Sequence, residues 1–224
     1  MMLEINAVAT AFDAGAVIRT INFHLTPERQ RAEYDRQFAL YARYFDPVTA
    51  EDLDRVMATG QWHKSKPGLI LAFYNGYRNN FDVARPLLDR YGLVGWFFVV
   101  TGFVNAADQW SFAADHNITC GIDETPDVRM ALSWDEVAAL DGPHVVASHT
   151  RTHSGASVDP GRLREEASGS QEDFRQWLGH PVRALAWNRG TAYGEHPAAD
   201  QAVDMAGFQF LVSNFRIQRL RDWT

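Results

Sequence analysis

A run of five apolar residues, Leu69 to Phe73, ends abruptly at the sequence Tyr74-Asn75-Gly76. An uninterrupted apolar run of this length predicts a strand that is buried on both faces, as in the parallel sheet of an α/β protein. In such proteins the catalytic and binding residues follow the carboxyl ends of the strands. Tyr74 and Asn75 therefore occupy a place where a functional site is expected.

The remainder of the chain alternates between segments that favour strands and segments that favour helices. Apolar or alternating runs predict further strands at residues 16–23, 96–100, 144–149, 184–187, 208–212 and 217–220. Helices are predicted to start at about residues 27, 49, 80, 133, 160 and 197, and residues 105–128 show only short helical pieces. Repeated βα units imply a parallel sheet, and roughly seven of them favour a closed or nearly closed barrel. An open doubly wound sheet is the alternative, although no G-x-G-x-x-G follows the first strand.

Local signals mark several helix ends. Thr26 and Thr49 are predicted capping residues, and Ser133 begins a capping box. Gly92 is placed to end the helix that starts near residue 80. Gly169, which lies between two serines, can interrupt the helix that starts at residue 160.

Composition and charge restrict the class of protein. The 224 residues suit one α/β domain spanning positions 1–224. A net charge of −7 argues against nucleic acid or an anionic membrane as a partner. Cys120 is the only cysteine, so an internal disulfide and a four-cysteine zinc site are excluded, and a structural role is expected for it. The first 16 residues lack the basic region of a signal peptide, and no run of about 18 apolar residues occurs, so we expect a cytoplasmic protein.

Two histidines follow another predicted strand. His149 and His153 are four residues apart, and imidazoles at this spacing can meet on one face of a turn and bind zinc or another divalent ion. The alternative is one hydrogen-bonded and one exposed histidine. Their position favours a metal site, because the pair leaves the same kind of strand end as Tyr74 and Asn75.

Asn75 is the candidate for a third metal ligand. Its amide oxygen can coordinate a cation, but it is neutral and binds zinc more weakly than a carboxylate. Tyr74, with a usual pKa near 10, is a poor general base at neutral pH but can donate a hydrogen bond to an oxyanion. The alternative is a turn in which Asn75-Gly76 only supplies a permissive backbone.

The segment from Trp187 to His196 follows the next predicted strand and is rich in polar and aromatic groups. Aromatic faces and planar amides suit sugar rings, which makes Trp187, Asn188, Arg189 and Tyr193 candidate substrate-binding residues. A plain connection between strand and helix has a similar composition. His24 is open to either a structural or a functional interpretation.

These segments resemble one family. Residues 71–80, Leu-Ala-Phe-Tyr-Asn-Gly-Tyr-Arg-Asn-Asn, are similar to the T-F-D-D-G-Y motif of polysaccharide deacetylases, the NodB-homology family. Residues 149–153 match its second motif, H-[ST]-x-x-H, and residues 185–190 resemble the third, F-R-x-P-Y-G, with the glycine kept and the proline lost. The likeness extends over roughly residues 21–220.

The resemblance implies a distorted (β/α)7-type barrel that removes N-acetyl groups from amino sugars with a divalent metal, usually zinc. The metal ligands then correspond to Asn75, His149 and His153, and Tyr74 takes the place of the aspartate that acts as the general base. Tyr77, in the first motif, becomes a further substrate-binding candidate. The expected substrate is an N-acetylated sugar or a related small amide.

The chain departs from the family pattern at further positions. Ala186 replaces the arginine of the third motif, and no histidine follows His196, so the family's C-terminal general acid is absent. Glu195 and His196 are hypothetical replacements for the acid or base. Three functions follow: an amide hydrolase, a pseudoenzyme that keeps a sugar-binding cleft, or a metal-binding barrel whose substrate is not a sugar.

Overall fold

The computed structural model describes residues 18–119, 128–213 and 217–220. Its strands are β1 Ile18–Phe23, β2 Asp46–Pro47, β3 Gly68–Asn75, β4 Gly95–Val99, β5 Val145–Ser148, β6 Ala184–Leu185, β7 Phe210–Val212 and β8 Ile217–Arg219. Its α-helices are α1 Arg31–Tyr44, α2 Ala50–Thr59, α3 Arg85–Tyr91, α4 Thr101–Asn105, α5 Gln109–Asp115, α6 Trp134–Leu140, α7 Pro160–Leu178 and α8 Pro197–Ala206. A short 3-10 helix, Glu28–Gln30, precedes α1, and a π-helical turn, Asn80–Ala84, precedes α3.

The strands form one curled sheet in the order β1-β3-β4-β5-β6-β7-β8, with β2 paired to the start of β3. The pairs from β1 to β7 are parallel, which confirms the predicted distorted (β/α)7-type barrel. The last strand departs from the repeated βα pattern, because β8 runs antiparallel to β7. No helix within the described ranges is long and apolar enough to cross a membrane.

Strand β3 is buried along its whole length because both of its faces are covered. Ile70 and Tyr74 face the barrel interior, together with Trp96 of β4. Leu71 and Phe73 face outward and pack beneath the helices. Side chains that alternate between two buried faces explain why this strand is a continuous apolar run.

A row of aromatic rings joins three neighbouring strands on the outer face. Phe23, Phe73 and Phe97 are in register on β1, β3 and β4, and each adjacent pair is stacked at 5.0 Å with an interplanar angle of 16°. This row fixes the relative heights of the strands whose carboxyl ends form the site described below.

Most predicted helix ends are confirmed. Thr49 forms a capping box with Asp52, Ser133 forms one with Glu136, and Gly92 ends α3 in a left-handed conformation. The cap predicted at Thr26 is wrong, because its hydroxyl donates to the carbonyl oxygen of Asn79 at 2.9 Å instead.

Gly169 does not interrupt α7, which continues from Pro160 to Leu178. The glycine makes room for a neighbour, because a Cβ atom there would lie 2.7 Å from Nη1 of Arg151. The segment without a clear pattern contains α5, while Cys120 lies outside the described residues.

Replacing the central ring of the aromatic row should destabilise the barrel. We expect Phe73→Ala to lower the free energy of unfolding by about 3–5 kcal/mol, because it leaves a cavity between two stacked rings. Leu40→Ala is the control: this side chain is 53% exposed, and its loss should change stability by no more than about 0.5 kcal/mol. Urea unfolding measures the free energy of unfolding of both variants. A similar loss of stability in the two would contradict the claim that the aromatic row stabilises the barrel.

Candidate active site

A cleft of about 300 Å³ opens at the carboxyl ends of the strands. It is lined by Asn22, His24, Tyr74, Asn75, Asn117, Thr119, His149, His153, Ala186, Trp187, Asn188, Arg189, Gly190 and Val212. The set combines residues from the ends of β1, β3, β5, β6 and β7. The three segments with family-like motifs therefore meet in one cavity.

The two motif histidines are oriented by backbone carbonyl groups. Nδ1 of His149 lies 2.7 Å from the carbonyl oxygen of Ala186, and Nδ1 of His153 lies 2.8 Å from that of His116. Since a carbonyl oxygen can only accept, each Nδ1 carries the proton and each Nε2 keeps a lone pair. The ring centroids are 5.0 Å apart. Such a pair of neutral imidazoles is suited to a metal ion.

Burial keeps these imidazoles neutral. His149 is 4% exposed, and burial, followed by the charge of His153, lowers its pKa to about 3. Burial also lowers the pKa of His153. Neither ring needs to lose a proton before it can coordinate a cation at neutral pH.

The amide of Asn75 is oriented by a tyrosine. The hydroxyl of Tyr77 donates to the carbonyl oxygen of Thr119 at 2.6 Å, so it is available to accept the hydrogen bond from Nδ2 of Asn75 at 3.1 Å. This leaves Oδ1 of Asn75 buried with no hydrogen-bond partner in the part of the chain that the structure describes. An unpaired buried oxygen is costly unless a donor or a cation occupies the position beside it.

Asn75 shares the cleft with Tyr74 because the strand ends at this position. Regular alternation would direct consecutive side chains to opposite faces of the sheet. Asn75 instead has a φ of 75°, a left-handed conformation that asparagine adopts more readily than most residues. Both side chains therefore line the cleft.

The donor set fits a divalent metal ion, although it carries no formal charge. Two imidazole Nε2 atoms and the Oδ1 of Asn75 are available, and His-rich sets suit zinc, copper, iron and nickel. Within the described ranges no group of three His, Cys, Asp or Glu side chains is placed to hold a metal. An amide oxygen in place of a carboxylate predicts weaker binding.

Backbone strain is concentrated around the cleft. Among the described residues, those other than glycine with positive φ are Asn75, Asn117, Thr150, His153 and Arg189. Four of them line the cavity, and Thr150 lies between the two histidines. A left-handed conformation at such positions costs on the order of 1–3 kcal/mol each and persists only where the surroundings enforce it.

Tyr74 stands where the family has its general base, but it cannot take that role. Its ring stacks on Phe98 at 4.9 Å and on His24 at 5.7 Å, and it is 6% exposed. Burial raises the pKa of Tyr74 to about 12. The phenol is therefore protonated at neutral pH and acts as a hydrogen-bond donor.

His24 is a site residue that the sequence left ambiguous. It directly follows β1, and its ring lies against Tyr74 at the mouth of the cleft. The residue is exposed overall, yet the partial burial of its ring lowers its pKa from the usual 6.5. Its position directly after the first predicted strand was the available signal.

The third-motif segment contributes mainly through its backbone and amides. Trp187 is 1% exposed, so its ring is part of the core rather than a platform for sugars. Nδ2 of Asn188 donates to the carbonyl oxygen of His153 at 3.0 Å, and its backbone NH donates to Ser154 at 3.1 Å. Arg189 is exposed at the cleft.

Four predicted site residues do not line the cleft. Tyr77 is fully buried and acts on Asn75, so it does not contact substrate. Tyr193 donates its hydroxyl to Asp204 at 2.8 Å. Glu195 accepts the backbone NH of Ala192 at 3.0 Å, and the exposed His196 precedes α8. We therefore assign Glu195 and His196 no role as acid or base, because their loop turns back on itself.

The burial of His149 predicts a pH-dependent stability. Below pH 6.5 the unfolded chain binds a proton that the folded chain, with its pKa near 3, does not. Stability should therefore fall as the pH drops through this window, by about 1.4 kcal/mol per pH unit from this group. Urea unfolding of chelator-treated protein should show a smaller slope for His149→Asn, and an unchanged slope for the exposed control His196→Asn. Equal slopes for His149→Asn and the parent protein would contradict the burial of a neutral imidazole.

Comparisons with known proteins agree with this geometry. The family model described as polysaccharide deacetylase matches residues 63–210. A de-N-acetylase from Aggregatibacter actinomycetemcomitans superposes with a TM-score of 0.67 at 16% identity, covering 92% of this chain and 91% of that one. IcaB from Ammonifex degensii superposes with a TM-score of 0.64 at 20% identity, covering 88% of this chain and 83% of that one.

The deacetylase PplD of Streptococcus pyogenes, in complex with acetate, superposes with a TM-score of 0.65 at 14% identity, covering 86% of this chain and 81% of that one. No curated protein matches the chain. At these identities the solved structures establish the fold, whereas the family model covers well over half of the 224 residues. The chain belongs to the polysaccharide deacetylase family.

Proposed function

We propose that this protein removes acetyl groups from N-acetylated amino sugars, with a divalent metal, zinc by preference, held by Asn75, His149 and His153. Members of the family generally use a divalent metal. The observation that carries the proposal is that Asn75, His149 and His153 line one cleft, with both Nδ1 atoms bonded to backbone carbonyls and the Oδ1 of Asn75 buried without a partner among the described residues.

When held by these residues, a divalent metal would supply Lewis-acid chemistry that polarises the amide carbonyl and lowers the pKa of the attacking water. The chain itself provides the surroundings. The backbone carbonyls of Ala186 and His116 hold the two imidazoles in one tautomer, and Tyr77 orients the amide of Asn75, which lines the same cleft. Ligands that are positioned in advance reduce the reorganisation required during the reaction.

Tyr74 supports the reaction as a donor. Its phenol is protonated, so it can donate a hydrogen bond to the oxygen that becomes negative when water attacks the amide carbon. No carboxylate among the described residues lines the cleft, so a carboxylate general base is lacking there. A general base contributes about 10² to 10⁴ in rate, and we expect turnover to be slower than with an aspartate at position 74.

His24 is suited to protonate the departing amine. Its ring lies against Tyr74 and lines the same cavity. Burial lowers its pKa from the usual 6.5, so the ring is neutral at neutral pH and can accept a proton before it donates one. The neutral imidazole would take a proton from the attacking water and transfer it to the amide nitrogen as the C–N bond breaks, releasing a free amine and acetate. This assigns to the end of β1 the proton donor that the C-terminal sequence lacks.

Metal removal tests the proposal. Acetate release from N-acetylated oligosaccharides should fall to the uncatalysed level after chelation and return when Zn²⁺ or Co²⁺ is added. His149→Ala should release no acetate under either condition. Acetate release that survives complete removal of the metal would refute the metal-assisted reaction.

His24 is tested against a matched histidine. We expect His24→Gln to lower kcat by about 10² to 10⁴ with little change in KM, because it removes a proton donor but keeps a side chain of similar polarity. His196→Gln, outside the cleft, should behave like the parent protein in the same acetate assay. A normal kcat for His24→Gln would remove it from the mechanism.

A pseudoenzyme that only binds sugars is the second candidate function. It is favoured by the absence of carboxylates from the described lining of the cleft and by the high pKa of Tyr74. The double variant Tyr74→Asp with Asn75→Asp separates the two. If the parent protein is inactive and the double variant releases acetate with added metal, the cleft still accepts N-acetylated sugars. If neither protein releases acetate, the cleft serves another ligand.

A further inference from the structure

Helix α7 carries a buried polar stripe. Glu166, Ser170 and Asp173 are 3%, 0% and 4% exposed and lie four and three residues apart, on one face of the helix. That face contacts residues 148–153, the last residue of β5 and the five that follow it, which we call the histidine segment. Two buried carboxylates on one helix face are unusual, since charged side chains are rarely buried unless they are paired.

Glu166 holds the backbone of the histidine segment directly. One carboxylate oxygen accepts the backbone NH of Thr152 at 2.7 Å, and the other accepts the hydroxyl of Thr152. The guanidinium of Arg162 stands 3.7 Å away and balances the charge. Thr152 immediately precedes His153, so this contact holds the backbone next to the residue that carries the second imidazole.

Asp173 holds the middle of the same segment. It accepts from Nε and Nη2 of Arg151 at 3.1 and 2.8 Å, and from the hydroxyl of Thr101 at 2.6 Å. Ser170 and Ser148 bring their hydroxyl oxygens within 2.8 Å, and that of Ser148 accepts the backbone NH of Thr150 at 3.1 Å.

Glycines allow the close approach of Arg151. A Cβ atom at Gly169 would lie 2.7 Å from Nη1 of Arg151. A Cβ atom at Gly102 would lie 2.5 Å from the carbonyl oxygen of Arg151. Gly102 also donates its backbone NH to that carbonyl at 2.8 Å. The histidine segment is thus held from two sides, by α7 and by the start of α4.

These contacts act on a strained backbone. Thr150 and His153 have φ values of 69° and 60°, which β-branched and ring-bearing residues avoid. A strained conformation persists only where its surroundings over-determine it. The contacts of Glu166 and Asp173 with the histidine segment provide this constraint.

We infer that Glu166 and Asp173 are positioning residues that hold the histidine segment in the conformation in which both imidazoles face the cleft. Through this, they set the affinity of the histidines for a divalent metal. The expected effect on metal affinity rests on the proposed function. The effect of the two carboxylates on the backbone of the histidine segment can be tested without metal. Partners one step removed from metal ligands commonly influence metal affinity by about 10- to 100-fold.

Zinc affinity of the full chain is the first test. Glu166→Gln, Glu166→Ala and Asp173→Asn are compared with Glu165→Gln, an exposed acid on the same helix that does not contact the histidine segment. In competition with a chromogenic chelator, we expect Glu166→Ala and Asp173→Asn to bind Zn²⁺ about 10- to 100-fold more weakly. Glu166→Gln should be intermediate, because its amide oxygen still accepts from Thr152. The control should match the parent protein, and unchanged affinity in Glu166→Ala and Asp173→Asn would overturn the inference.

Amide hydrogen exchange without metal is the second test. Exchange in the variants should become faster at residues 148–154 and remain unchanged in the β3 and β4 strands. A uniform increase throughout the barrel would mean that the carboxylates only stabilise the fold, and would overturn the inference. If the parent protein binds no Zn²⁺, the proposed function fails, while local acceleration of exchange in these variants would still support the positioning role.

Discussion

Helix α7 and the histidine segment make contacts in which each supplies what the other lacks. The buried carboxylates of Glu166 and Asp173 need hydrogen-bond donors, and the left-handed backbone at Thr150 and His153 needs a rigid support. Buried charges are tolerated only when they are fully paired, and strained conformations only when they are enforced. The barrel can therefore present two imidazoles from a turn of few residues, although isolated turns of this kind would relax.

The cleft differs from the family pattern in charge more than in shape. With Tyr74 and Asn75 in place of two aspartates, the described lining has three histidines, several amides and one arginine, and no acid. The tautomers of His149 and His153 and the orientation of Asn75 are still fixed by neighbouring groups. The orientation of these three side chains is thus fixed by the chain, while the carboxylate charges of the family pattern are missing from the described lining.

Features with a short-range physical cause could be predicted from the sequence. The buried run of β3, the capping boxes and the H-x-x-x-H pair each depend on residues close together in the chain, and the structure has them where they were expected. The role of His24 stayed ambiguous, because only the curling of the sheet brings β1 to the cleft. Glu195 and His196 follow a strand but do not line the cleft, and Glu195 instead accepts the backbone NH of Ala192 in its own loop.

The contact between Tyr77 and Asn75 has a consequence for the identity of the site. An asparagine side chain presents either a lone pair or N–H bonds, depending on which way its amide is turned, and the backbone carbonyl of Thr119 decides this through the hydroxyl of Tyr77. If that carbonyl moved, the amide could rotate by half a turn and present an N–H bond instead of a lone pair to the cleft. The polarity that Asn75 presents thus depends on a residue more than forty positions along the chain.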